Sequence, residues 1–428
     1  MQASLPGASA KGRLICAGAM PPLGRKEQGE EGLGDTNIMG GFPPVAAGQV
    51  TLSNWRLPPF NRWAFHHVRE LIPTANIARG GASSVGRSER RIDRLAFDGP
   101  DGKEWTVGRM LQETFTDGLL VLRRGRIVAE RYDAGLMPGT PHILFSVSKS
   151  VTVLLIGILV ERGRLDPAAP VTRYIPEAAE SAYADCSLQH VLDMTVSTDF
   201  VEDYLDTTGD FARYRAASGW NPVPDPVAAG DLRRFLLTMR RGSGAHGAAF
   251  HYVSPNSDLL GWIVERAAGQ PFADFMSDTL WQPMGAEFDA YITVDRMGAA
   301  RSAGGICTSL RDLSRLGELM RLRGMAAGRQ IVPGWWIDDI LTNGDAEAWR
   351  RGDLTSQLPI HRYRSQWYDL GDGRGSFCGI GIHGQWLYVD PAAEVVLAKV
   401  SSQPAATDEP TDRLIMAGFA ALARALGG

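Results

Sequence analysis

Hydrophobic residues along this chain change their period from strand-like to helix-like and back. Residues 118–123 and 126–132 are mostly apolar runs separated by Arg124-Gly125, which predicts a β-hairpin with a Gly-containing turn. The pattern returns near the other end, where 380–389 and 394–400 flank Asp390-Pro391 and predict a second hairpin, followed by a closing helix over 411–426. Between these ends, 146 to about 345 reads as mainly helical, with segments at 188–193, 231–240, 257–268 and 309–323. Upstream, 61–72 predicts a surface helix stopped by Pro73, and 80–86 is a loose stretch. Folded structure is expected from about Trp55, because residues 1–48 are rich in Gly, Pro and Ala without periodicity and read as a flexible arm, with Met39 as an alternative start. Strands at both ends with helices between predict an α+β fold. One antiparallel sheet would be assembled from 49–145 and 346–428, with 146–345 as a mainly helical region.

One predicted helix breaks the amphipathic rule. Residues 151–160 are apolar on nearly every face, so this helix is expected to be buried on most sides, yet its first turn carries Ser146-Val147-Ser148-Lys149. Only five lysines, at 11, 26, 103, 149 and 399, stand among 44 basic residues. The chain writes positive charge as arginine, which does not release its proton, whereas a desolvated lysine can. Lys149 therefore reads as a removable proton site, and the three-residue spacing places the Ser146 hydroxyl on the same helix face. Ser146 and Lys149 are candidates for a nucleophile and its base.

Composition narrows the classes. The chain has 428 residues, 44% hydrophobic and 21% charged, with a formal net charge of −4, which suits a globular protein and gives no basic surface for nucleic acid. Cys16, Cys186, Cys307 and Cys378 are widely spaced and expected to be reduced and structural; no His-Glu-x-x-His or Cys-x-x-Cys points to a metal. No apolar run reaches the ~18 residues of a membrane span. The expectation is a cytoplasmic protein with no cofactor, no metal, and no membrane or nucleic-acid partner.

The context of the Ser-x-x-Lys carries a resemblance. Glu161-Arg162-Gly163-Arg164-Leu165-Asp166-Pro167, His251-Tyr252-Val253-Ser254-Pro255-Asn256, Ala303-Gly304-Gly305 and Ile382-His383-Gly384 follow it in an order that resembles the serine β-lactamase and penicillin-recognising superfamily. Asn61-Arg62-Trp63-Ala64-Phe65, Glu202-Asp203-Tyr204, Ser218-Gly219-Trp220 and Gly379-Ile380-Gly381-Ile382-His383-Gly384-Gln385 resemble its 6-aminohexanoate-dimer hydrolase branch. The resemblance implies Ser146 as nucleophile, Lys149 and Tyr252 as the proton-handling pair, Tyr204 as a substrate-side hydroxyl, and an oxyanion hole from the Ser146 and Ile382 amides. His383 is a candidate site-lining residue, Trp220 a cleft wall, and Arg215 falls in the substrate-facing loop. The amide at a helix start is free to receive an oxyanion, and either a neutral Lys149 or an ionised Tyr252 could take the serine proton.

Two departures bear on substrate. The Tyr motif reads Tyr-Val-Ser, and the third box has neither Lys nor Thr, so efficient β-lactam hydrolysis is not expected. Glu202, Asp203 and Asp206 could attract an ammonium, but Arg213 and Arg215 would repel it, so short esters are expected to outperform amino-terminated amides. The leading expectation is hydrolysis of short esters or linear amides through an acyl-Ser146 intermediate, by a cofactor-independent enzyme whose partner is its small substrate; a homodimer is one assembly open to it. The alternatives are a β-lactamase- or D-peptidase-like hydrolase, and an acyl-binding protein of the same fold that does not turn over.

Overall fold

The computed structural model describes residues 37–81, 85–355 and 358–427. Its centre is a seven-stranded antiparallel sheet drawn from two distant parts of the chain. The strands are β1 (Thr116–Arg123), β2 (Arg126–Tyr132), β3 (Arg362–Arg364), β4 (Trp367–Asp369), β5 (Phe377–Gly381), β6 (Gln385–Asp390) and β7 (Val395–Ser401), in the spatial order β3-β4-β5-β6-β7-β1-β2. The join between the halves is β7 against β1, with Leu397 opposite Val121 and Lys399 opposite Leu119.

Side chains of a strand alternate between faces, and both faces here are covered, which is why the central strands are apolar throughout rather than alternating. Leu120, Leu122, Leu387, Val389, Val396 and Ala398 face helices α1 (Val147–Glu161) and α3 (Leu310–Arg321). Leu119, Val121, Trp386, Tyr388, Val395 and Leu397 face α4 (Glu409–Gly427), through its Ile415, Phe419 and Leu422, and the short helix Val107–Glu113. The resulting three layers bury α1 completely from Val147 to Leu159. Each of its fully enclosed Leu and Ile side chains contributes roughly 1.5–3 kcal/mol.

Several elements differ from expectation, each for a packing reason. The predicted strand 380–389 is two strands: His383 and Gly384 adopt left-handed φ values of 60° and 84° and reverse the chain, so that Ile380 pairs with Trp386. The third box therefore sits in a turn. Residues 61–72 form a helix over Phe60–Ala64 and a separate 3-10 turn over Val68–Glu70, and the chain turns between them to bury Ala64, Phe65 and Val68. The region 146–345 also holds strands Ala290–Thr293 and Ile306–Thr308, which join Thr74–Ile77 and His142–Ile143 in a second, four-stranded sheet. Its helix α3 packs on β1, β6 and β7. Of the expected arm, residues 1–36 lie outside the described residues; 37–48 contain a turn and a 3-10 helix, with Ile38 and Met39 against a cluster that includes Trp55, Phe65 and Phe145. Within the loose stretch, 82–84 lie outside the described residues, and Gly86 and Ser88 hydrogen-bond Ile127 on the edge strand β2. Cys186, Cys307 and Cys378 are free and buried. No helix among the described residues is long and apolar enough to cross a membrane.

Candidate active site

Ser146 is the N-cap of α1, but its side chain makes no capping bond, which leaves the hydroxyl available. The Lys149 Nζ donates to Ser146 Oγ at 2.9 Å and to the Ala303 carbonyl at 2.6 Å. Lys149 is 2% exposed, and burial pulls its pKa down to about 8; Arg301 adds to this, while the Glu202 and Asp258 carboxylates oppose it. The Tyr252 ring lies 5.2 Å from the same Nζ, and its hydroxyl interacts with the Ser146 side chain. Burial, reinforced by Glu202, pushes the Tyr252 hydroxyl well above its ordinary value. The two groups are thus driven apart: the amine toward neutrality, the phenol away from ionisation.

The turn before Ser146 is strained and clamped. Phe145 has φ 43°, a left-handed conformation unusual for a bulky residue, and such strain persists only where the surroundings over-determine it. Four rings surround Phe145: Trp55 stacks on it at 6.2 Å, Phe65 meets it at 4.9 Å, Trp220 at 5.9 Å and His383 at 5.4 Å. Trp220 and His383, expected to line the cleft, therefore stand behind the serine. Trp220 is buried, with its indole N–H on Thr293. His383 is 3% exposed; its Nδ1 bonds the Gln403 carbonyl, and burial lowers its pKa to about 4.

Gly381 brings the third-box turn against the serine. A Cβ at this position would lie 2.5 Å from the Leu144 carbonyl oxygen and 3.1 Å from the Ser146 nitrogen, so only glycine permits this approach. The amides of Ser146 and Ile382 have no backbone acceptor among the described residues and flank the same space. Buried Gln385 holds the turn, donating to the Ile382, His383 and Ser401 carbonyls and accepting from the Ser401 amide.

Glu202 organises the other wall. Its carboxylate accepts from the Ser254 amide at 2.6 Å and the Ser254 hydroxyl at 2.7 Å, at the start of α2 (Ser254–Ala268), where negative charge suits the helix dipole. It also accepts the Tyr204 hydroxyl at 2.9 Å. Tyr204 is thereby tied beside Tyr252. Arg215 is bonded to the loop itself, donating to the Tyr204 and Asp206 carbonyls and lying 4.7 Å over Phe211.

Behind Lys149 lies a buried group that sequence reasoning did not find. Asp258 accepts from Arg301 and from the Tyr214 hydroxyl, and its second oxygen accepts the Ala303 amide at 2.8 Å. The Ala303 carbonyl receives Lys149, so the ion pair orients the lysine through one residue. Asp353 was missed as well: it holds the His251 ring at 2.8 Å and the Tyr252 amide at 3.3 Å. The only sequence signal for either is charge placed inside apolar or turn segments. No group of three or more His, Cys, Asp or Glu among the described residues could hold a metal.

A serine hydroxyl bonded by a buried amine, beside a phenol and two amides with no backbone acceptor among the described residues, defines a serine hydrolase of the penicillin-recognising architecture. The family model described as Beta-lactamase matches residues 111–421, and the chain belongs to that family. It is 41% identical over 363 residues to the 6-aminohexanoate-dimer hydrolase of Paenarthrobacter ureafaciens, covering 85% of this chain and 91% of that one. A solved structure from Bacillus anthracis, provisionally assigned as a 6-aminohexanoate-dimer hydrolase, superposes with a TM-score of 0.81 at 25% identity, over 88% of this chain and 97% of that one. Esterase EstB of Burkholderia gladioli is 30% identical over 184 residues, 42% of this chain and 45% of its own.

Proposed function

We propose that this hydrolase cleaves short esters and linear amides of the 6-aminohexanoate type through an acyl-Ser146 intermediate. Lys149 accepts the hydroxyl proton as Ser146 attacks the carbonyl carbon. The oxyanion is received by the Ser146 and Ile382 amides, and Tyr252, un-ionised, donates a hydrogen bond and relays the proton to the leaving oxygen or nitrogen. Water then attacks the acyl-enzyme, its proton passing to Lys149 and the serine oxygen regaining its own. Tyr204 provides a hydroxyl on the substrate side. The observation that carries this reading is the 2.9 Å bond between Ser146 Oγ and an amine that burial has brought near neutrality.

The relatives, one a 6-aminohexanoate-dimer hydrolase and one an esterase by name, support the substrate range. The motif departures in the Tyr and third boxes support poor β-lactam turnover. Hydrolysis of p-nitrophenyl butyrate by wild type and Ser146→Ala, with mass spectrometry of the intact protein, tests the mechanism: turnover lost in the variant upholds it. Unchanged turnover in Ser146→Ala would end it, and stable acylation without turnover would favour an acyl-binding protein. A cytoplasmic location and a homodimer belong to the same reading, and are checked by cell fractionation and light scattering.

A further inference from the structure

His251 stands beside Tyr252 in the chain, and each of its ring nitrogens faces an acceptor. Nδ1 lies 2.8 Å from the Asp353 carboxylate, and Nε2 lies 2.8 Å from the Phe200 carbonyl oxygen. A carbonyl and an ionised carboxylate only accept, and a neutral imidazole has one N–H to give, so the two bonds together require the doubly protonated ring. The charged groups that act on the ring come from two segments. Asp353 belongs to the turn after the helix Ala346–Arg350, and Glu202 to the loop that carries Tyr204. Burial lowers the ring's pKa, but the Asp353 bond and charge, the Phe200 carbonyl and Glu202 outweigh it, and the net displacement is upward. The ring is partly exposed, so solvent reaches its proton.

The bridge closes three segments around Tyr252. Phe200 stands two residues before Glu202, whose carboxylate serves Ser254 and Tyr204. Asp353 also accepts the Tyr252 amide, at 3.3 Å. The amides of Phe250, His251, Tyr252 and Ser254 are accepted in turn by the Ala348 carbonyl at 2.9 Å, the Met194 carbonyl at 2.7 Å, Asp353 and Glu202. Rings hold both flanks: Phe250 packs on Trp349 and Tyr363 at 4.7 and 4.8 Å, and Phe200 on Tyr214 at 5.9 Å. Tyr252 is therefore carried on backbone that His251 ties to the Glu202 loop on one side and to the Asp353 turn on the other. When the ring loses a proton, one nitrogen turns a lone pair toward an oxygen 2.8 Å away. The charge-assisted bond to Asp353 is the stronger one to keep, so the Phe200 link opens and the loop with Glu202 and Tyr204 is released. A displacement of about 1 Å in a group that must meet a reacting atom costs on the order of 100-fold in rate.

We propose that His251 is a positioning residue for hydrolysis: as an imidazolium bridging Asp353 and the Phe200 carbonyl, it holds Tyr252 where that residue relays a proton to the leaving group, and the relay fails when the ring is deprotonated. This rests on the reading above in which Tyr252 handles that proton, and names the group that keeps it in place. His251 acts through Tyr252 and gives no proton to substrate. The bridge is intact below the ring's pKa in the folded protein and lost above it, so protonation of the leaving group declines as pH rises. Lys149 runs the other way, becoming an acceptor as it releases its own proton.

Ethyl butyrate and p-nitrophenyl butyrate form the same acyl-enzyme but differ in what the leaving oxygen needs: ethanol departs only with a proton, whereas p-nitrophenolate leaves as the anion. The ratio of their kcat/KM values, ethyl over p-nitrophenyl, isolates the Tyr252 relay, and the titration of Lys149, common to both, cancels. In His251→Gln at pH 6 this ratio is expected to fall about tenfold, part of the roughly 100-fold or more that a general acid supplies. A merely structural loss lowers both esters alike. In wild type the ratio is expected to decline with rising pH around a single pKa, and nitrogen-15 NMR of the imidazole should show His251 losing its second proton at that same pKa, above the ordinary 6.5. The decline should be absent in His251→Gln. Should His251→Gln not fold, Asp353→Asn, which keeps the shape of the pair and removes its charge, replaces it, and both the ratio and the ring's pKa fall. A ring already singly protonated at pH 6, a ratio unmoved by substitution, or a wild-type ratio flat with pH overturns the positioning role while leaving the hydrolase intact. Wild-type turnover of the p-nitrophenyl ester alone removes the relay and the positioning role with it. If wild type turns over neither ester, the hydrolase reading itself falls.

Discussion

Lys149→Met should make the protein inactive and, below pH 8, relatively more stable, with a gap that closes as pH rises. A lysine has an ordinary pKa of 10.5, and in the folded protein burial brings Lys149 to about 8. Between these values the unfolded chain holds a proton that the folded chain has released, so wild-type stability climbs with pH across that window. Below pH 8 the folded state carries a buried ammonium at full cost; above 10.5 both states are neutral and the cost vanishes. At ~1.4 kcal/mol per pH unit, the difference between 10.5 and about 8 corresponds to about 3 kcal/mol. Methionine has similar length and no charge. It loses the bonds to Ser146 Oγ and the Ala303 carbonyl, worth about 1–3 kcal/mol in unsatisfied acceptors, but that loss does not depend on pH. Lys399, also buried and lowered to about 7, titrates in both proteins and cancels. The assay is urea unfolding of both proteins at pH 7, 8.5 and 10, read as the difference in unfolding free energy. The advantage of Lys149→Met should decline by about 3 kcal/mol from pH 7 to above 10. A difference flat across that range would show that Lys149 keeps an ordinary pKa, and the argument for its role as a base would fall with it.

Gly381→Ala should cost about 1–3 kcal/mol of stability, because the added Cβ meets the Leu144 carbonyl oxygen at 2.5 Å and the Ser146 nitrogen at 3.1 Å. Separating the two oxyanion amides should lower kcat about 100-fold with little change in KM, as steady-state ester kinetics would show; a kcat within threefold of wild type would place the oxyanion elsewhere. Asp258→Asn leaves Arg301 without its counter-charge in the interior and should destabilise by about 3–5 kcal/mol in urea unfolding. The double variant Asp258→Leu, Arg301→Met should recover most of that stability without activity, because the Ala303 peptide that orients Lys149 has lost its anchor. Recovery of activity as well would remove the ion pair from the mechanism.

Much of the site was legible because its residues violate local rules. A lysine in an all-apolar helix stands out in a chain that otherwise uses arginine, and three-residue spacing then delivers its serine. The hairpins were legible because β1 pairs with β2, and β6 with β7, across short turns within apolar sequence. The strand over 380–389 was not, since Ile382 and His383 look like strand residues; the reversal at His383-Gly384 depends on the 401–406 segment, whose Gln403 and Ala406 hold His383 from about twenty residues away. The same remoteness hid Asp258 and Asp353, and hid that Glu202, expected as a charge for a substrate ammonium, is bonded to Ser254 and Tyr204. Trp220 and His383 were assigned to the cleft by position in their motifs, whereas packing turned both toward Phe145.

The sequence by itself therefore determined the α+β architecture, the buried helix and the candidate pairing of Ser146 with Lys149, because periodicity and desolvation act over a few residues and leave their mark in residue type. Only the tertiary structure decided how those groups are tuned. The burial of Lys149 against the Ala303 carbonyl and the approach of Gly381 to the Ser146 amide depend on segments more than a hundred residues apart arriving at one place, and burial and electrostatic fields exist only once they have met.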